Sequence, residues 1–113
     1  MDNPTITLAK LRQELRQLVT ELESAGVKAA QAERTYRINA AKAMLLLKQD
    51  GVPVTLIMEL VKGDERVAEH RFNRDVADVR YKTTQERINA VKREITIISE
   101  QINREWGNAR YEP

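Results

Sequence analysis

Leu22-Glu23-Ser24-Ala25-Gly26-Val27-Lys28-Ala29 admits two readings that lead to different architectures. If Gly26 is the left-handed residue that closes a helix, the chain reverses there and forms a three-helix bundle. If Gly26 lies inside a helix, that helix is very long, and the glycine costs about 1 kcal/mol relative to alanine. The flanking residues favour the second reading. Before the glycine, Leu8, Leu11, Leu15, Leu18 and Leu22 recur at alternating spacings of three and four, the pattern of a heptad seam. Beyond it, Ala25, Ala29, Ala32, Tyr36, Asn39, Ala43 and Leu46 keep the same alternation. A break and restart would ordinarily lose phase. One helix is therefore expected over about 4–49, with Asn3 as N-cap and Pro4 at the first helical position, where its missing N–H costs nothing.

Further along, Asp50-Gly51-Val52-Pro53 has the composition of a turn. Thr55 is placed to cap a short helix over about 56–62, ended by Gly63. Asp64 can then cap a third helix over about 64–106, with Glu65 facing the positive end of its dipole and Gly107 as the stop. This last helix carries a seam of its own: Val67, His70, Arg74, Ala77, Tyr81, Thr84, Ile88, Val91, Ile95, Ile98 and Ile102. Folding back at the turn sets Leu15 against Ile98, Leu18 against Ile95 and Leu22 against Val91. Towards the turn it sets Asn39 against Arg74, Ala43 against His70 and Leu46 against Val67. The two long helices come out nearly equal in length, and large residues tend to face small ones. The expected fold is thus all-α in a single domain over residues 1–113: an antiparallel, coiled-coil-like hairpin of long helices, roughly 65 Å each, with a short third helix at the turn. A second apolar stripe near the turn, Ile38, Ala41 and Leu45 with Phe72, Val76 and Val79, is expected to lie under the short helix.

Composition narrows the function. There is no cysteine, which removes thiolate catalysis, disulfides and Cys-based zinc sites and fits a cytoplasmic location. No apolar run approaches the ~20 residues that span a bilayer, so no membrane role is expected. Residues 1–7 lack the pattern of a secretory signal. With 19 Lys and Arg against 17 Asp and Glu, the formal net charge is only +2. That describes a solvated helical surface rather than a dedicated polyanion binder.

Few residues invite chemistry. His70 is the only histidine, and its place on the seam opposite Ala43 suits packing. The carboxylate pairs Glu65/Glu69 and Asp75/Asp78 could hold a metal or share a proton. Interleaved Arg66, Arg71, Arg74 and Lys82 make them read as surface ion pairs instead. No phosphate loop, nucleophile elbow or zinc motif is present, so neither catalysis, a metal nor a cofactor is expected. Asn39 opposite Arg74 reads as a polar layer that fixes register. The acid-free stretch holding Arg34, Arg37, Lys42 and Lys48 is the candidate nucleic-acid contact. Residues 34–82 carry ten basic and seven acidic side chains, a mild excess without aromatic interleaving for base stacking. Val19, Ile97 and Trp106 lie off the seam and form the candidate face for a protein partner or for self-association into a homodimer.

Gly51-Val52-Pro53-Val54-Thr55-Leu56-Ile57, Lys62-Gly63-Asp64, Val67-Ala68-Glu69, Arg71, Arg74-Asp75-Val76-Ala77, Tyr81 and Glu105-Trp106 resemble a group of small helical proteins. These are uncharacterised proteins encoded by temperate phages and prophages of Gram-positive bacteria, often near replication and recombination genes. The resemblance spans about residues 33–107 and implies a phage accessory factor, with no functional residues to carry over. The Leu-heptad segment before it reads as an appended partner-binding arm. Together these features lead to a non-enzymatic protein–protein interaction module, an accessory or inhibitor in phage DNA metabolism. Weak DNA binding by the basic segment, or a virion or scaffold subunit, are the alternatives.

Overall fold

The computed structural model describes residues 3–111. It contains three helices, α1 (Pro4–Gln49), α2 (Val54–Gly63) and α3 (Glu65–Tyr111), and no strand among the described residues. At the start of α1, Asn3 Oδ1 accepts a hydrogen bond from the Thr5 amide at 2.9 Å. The Asn3 carbonyl takes the first intrahelical bond, from Thr7, at 3.0 Å. Both are what an N-cap supplies to otherwise orphaned backbone donors.

Gly26 does not end α1, which runs through it unbroken, so the three-helix alternative with a reversal there does not form. The glycine is there for space rather than for a turn. Its φ is not positive, and a Cβ built on it would lie 3.3 Å from Cε2 of Tyr81. The residue that does turn the chain is Gly51, with φ +79°. There the Val52 amide donates to the Leu47 carbonyl at 3.1 Å and the Gly51 amide to the Lys48 carbonyl at 3.2 Å. These paired bonds define a glycine C-cap that satisfies the last carbonyls of α1. Val52 and Leu47, the apolar residues that flank such a cap, pack against the same core.

Three boundaries differ from the expectation. α2 begins at Val54, two residues before the expected start, because Pro53 at φ −58° already occupies the N-cap position and no side chain caps the helix. Its carbonyl accepts from the Leu56 amide at 2.9 Å, and Thr55 sits within the first turn. Gly63 is the last residue of α2 rather than a residue beyond it. α3 continues past Gly107 to Tyr111, since a glycine stops a helix only where the backbone turns left-handed, and Gly107 does not. Between α2 and α3 stands one residue, Asp64. Its amide donates back to the Val61 carbonyl at 3.2 Å. Its Oδ1 accepts from the Arg66 and Val67 amides at 2.9 and 3.1 Å. From the other side, Arg71 Nη2 donates to the Lys62 carbonyl at 2.9 Å, a cation at the negative end of α2.

The long helices contribute to two compact units, one from α1 up to Glu23 with α3 from Lys82, the other from Ser24 to Tyr81. In the first, Leu11, Leu18, Ile88 and Val91 are buried, and Leu15, Leu22, Ile95 and Ile98 pack around them. Burying each such side chain contributes about 1.5–3 kcal/mol. In the second, Ala40, Ile57, Val61 and Val67 are buried, with Tyr36, Ala43, Met44 and Leu47 against them.

That second core corrects the expected one. α2 does not cover the stripe assigned to it: Ile38, Leu45, Phe72 and Val79 are all exposed. Leu46, expected against Val67, is 61% exposed, and Leu47 takes its place. An ideal straight helix drifts by about 20° per heptad relative to a strict seven-residue repeat. Over the roughly five heptads from Leu11 to Leu46 this amounts to about 100°, the angle of one residue.

Candidate functional site

α2 is apolar around most of its circumference: Val54, Leu56, Ile57, Met58, Leu60 and Val61 are interrupted only by Thr55, Glu59 and Lys62. A helix of this pattern normally lies inside a core. Here only Ile57 and Val61 are buried, and Val54, Leu56, Met58 and Leu60 remain exposed. Leu45 and Leu46 at the end of α1 extend the uncovered surface. Among the described residues, fourteen large hydrophobic side chains are exposed against seven buried ones, and six of the fourteen lie between positions 45 and 60. Isolated exposed leucines are ordinary, but contiguous apolar surface marks an interaction site.

Where Leu46 and Leu60 lie, this surface borders a concavity. A groove of about 480 Å³ opens between the end of α1, α2 and the start of α3. Its edges are Leu46 and Leu60 and its rims Lys42 and Arg66. Both cations are exposed, and no ion pair among the described residues engages either. Asp64 also borders the groove, but its Oδ1 is committed to capping α3.

A second, polar groove of about 430 Å³ involves Ala29, Glu33, Arg74, Asp75 and Asp78. Arg74 Nη2 lies 3.0 Å from Asp75 Oδ1 and Nε 3.6 Å from Glu33 Oε2. Its guanidinium sits over the Tyr36 ring at 4.4 Å, within cation–π range. The hydrogen bond to Asp75, aided by the charges of Asp75 and Glu33, raises the Arg74 pKa further above its ordinary value. Arg74 is therefore a permanent cation whose partners are in place. Asn39 is not among them. Its amide donates back to the Thr35 carbonyl at 2.8 Å, so the expected Asn39–Arg74 layer is replaced by Arg74 with Glu33, Asp75 and Tyr36.

The basic segment is not gathered into one surface. Arg37 is paired with Glu33 at 2.7 Å. At 100° per residue, Arg34, Arg37 and Lys48 fall within about 60° of one another, while Lys42 lies roughly 80–140° away. His70 is half-buried, and Glu65 and Glu69 are exposed. Among the described residues no three His, Cys, Asp or Glu side chains converge as metal ligands. Val19, Ile97 and Trp106 are exposed, with Trp106 about 13 Å further along α3 than Ile97. Sequence patterning placed α2 as a cover and so missed it as a surface. The signal that reveals it is the near-absence of polar residues on three sides of a ten-residue helix.

The described residues thus define an all-α protein in which two long helices pack in pairs and a short apolar helix is left largely uncovered. No helix among them is long and apolar enough to cross a membrane. Comparison with protein-family models, with curated proteins and with solved structures finds no match.

Proposed function

We propose that this chain is a non-enzymatic helical interaction module that binds protein through the apolar surface around α2. One observation supports this above all: six large hydrophobic side chains between positions 45 and 60 lie exposed on and beside a helix patterned for burial. A helix-in-groove contact suits the concavity lined by Leu46 and Leu60. The resemblance to phage and prophage proteins adds to the proposal a role as an accessory or inhibitory factor in DNA metabolism. Val19, Ile97 and Trp106 are a secondary candidate face, too widely spaced to make one patch alone.

Site-specific photo-crosslinking tests the reading. A photoreactive residue at position 46 or 60, in the chain expressed in its native host, is expected to yield a discrete protein adduct. The same residue at exposed, polar-faced Glu14 is expected to yield none. Equal labelling at all three positions, or no adduct at any, would sink the proposal.

A further inference from the structure

We infer that the surface around α2 is a homodimer interface, in which each copy sets Leu56, Glu59 and Leu60 of α2 into the groove between α1 and α3 of the other. This rests on the reading of that surface as a protein dock and names the occupant.

The groove offers two leucine edges, Leu46 and Leu60, between two cationic rims, Lys42 and Arg66. Neither cation has a carboxylate partner among the described residues, and the acid at the groove, Asp64, has its Oδ1 engaged by the α3 cap. The matching occupant is an apolar ridge that carries a carboxylate. α2 is such a ridge. At 100° per residue Leu56, Glu59 and Leu60 share an arc of about 100°, and the buried Ile57 and Val61 lie outside it. Glu59 is the only acid on α2, and its one partner among the described residues is Lys62 at 3.8 Å, both side chains well exposed. Such a pair is worth little and is easily exchanged for a better one.

Adjacency singles out a second copy. Leu60 belongs both to the ridge and to the groove's edge, so ridge and groove form one continuous surface. An unrelated acidic helix would fill the groove and leave Leu56 uncovered. A second copy related by a two-fold axis covers ridge and groove on both molecules at once, with Glu59 of each facing Lys42 and Arg66 of the other. That self-complementarity is the condition for an isologous interface. The patch is limited to α2 and the two groove walls, at the small end of specific interfaces, about 1,200 Å² in total. The dimer is therefore reversible and concentration-dependent.

The experiment is light scattering or sedimentation equilibrium on the full chain from about 5 to about 500 µM. The mass should climb from that of one chain towards that of two. Leu60→Glu should weaken self-association at least tenfold while leaving the helical circular dichroism unchanged, because Leu60 is half-exposed. Glu59→Lys alone and Lys42→Glu/Arg66→Glu alone should each weaken it several-fold. Mixed one to one, these two proteins should associate with each other as tightly as the wild type does, since both contacts become complementary only in the mixed pair.

A one-chain mass throughout the range overturns the inference, as does tight association of Leu60→Glu or a mixture no tighter than its components. If the chain stays monomeric while the position-60 crosslinker captures a different protein, self-docking is wrong and the docking reading stands. If the chain stays monomeric and no adduct of any kind forms, both fall.

Discussion

Replacing Gly26 with alanine tests why a glycine sits in the middle of a 46-residue helix. Two effects oppose each other. Its backbone φ is not positive, so alanine fits, and the gain in helix propensity is about 1 kcal/mol. Against this, the new Cβ would stand 3.3 Å from Tyr81 Cε2 and 3.7 Å from Cδ2. The optimal carbon–carbon separation is about 3.5–4.0 Å, so the ring must give by a few tenths of an ångström. Tyr81 is half-buried on α3, and displacing it from its rotamer costs on the order of 0.5–1 kcal/mol. In the wild-type background Gly26→Ala is therefore expected to change stability by less than about 0.5 kcal/mol. In a Tyr81→Ala background the full helix-propensity gain of about 1 kcal/mol should return. The measurement is urea unfolding followed by circular dichroism, arranged as a double-mutant cycle. A coupling below about 0.3 kcal/mol, the scatter of independent sites, would refute the idea that Tyr81 dictates this glycine. Gly26→Leu amplifies the effect: overpacking against the ring should cost about 1–3 kcal/mol in the wild type and much less without it.

Gly51→Ala forces a Cβ into left-handed backbone at φ +79°. It should lower stability by about 1–2 kcal/mol with nothing sterically in the way, read as a drop in urea midpoint at constant slope. Leu18→Ala empties the most enclosed position of the first unit, where Leu18 is 1% exposed. It should cost about 3 kcal/mol, whereas Val19→Ala, one residue away and exposed, should cost under 0.5. For duplex DNA, Arg34 and Lys48 are the cations of the 34–48 segment that share a face of α1 and have no ion pair among the described residues. Gel shifts across a salt series should therefore show weak binding with a log–log slope no steeper than about −1.8; a slope near −5 would restore the basic segment as a DNA-binding surface.

The α3 seam was legible residue by residue. Val67, Thr84, Ile88 and Val91 are buried, and Tyr81, Ile95, Ile98 and Ile102 are half-buried, at the positions the heptad pattern assigns. The caps were legible where a side chain or a glycine does the capping, as at Asn3, Gly51 and Asp64. Where the backbone alone decides, at Pro53 and Gly107, residue type was a poor guide to the boundary. Gly26 was placed correctly inside a helix from phase alone. The ring that a Cβ at position 26 would meet, that of Tyr81, lies 55 positions further along the chain and leaves no local signal. Arg74 was assigned to the seam correctly, but its partners were not, because side-chain pairing depends on which residue of α1 drifts into reach.

That drift connects the fold to the surface proposed to bind. A strict heptad over the whole of α1 would require the helix to supercoil about α3, keeping Asn39 and Leu46 in contact with it. Near the turn α1 answers to α2 instead: Ile57 and Val61 pack on Ala40, Met44 and Leu47, a face rotated by about one residue from the strict heptad. Leu46 is thereby released to the groove edge and Asn39 to its own backbone. Had α2 lain over Ile38, Leu45 and Phe72, as the second apolar stripe suggests, Leu46 would have stayed in the seam and no concave surface would open beside Leu60. The short helix thus lines the groove through Leu60 and Val61 and carries the ridge proposed to enter it, so self-docking depends on α2 rather than on the longer helices.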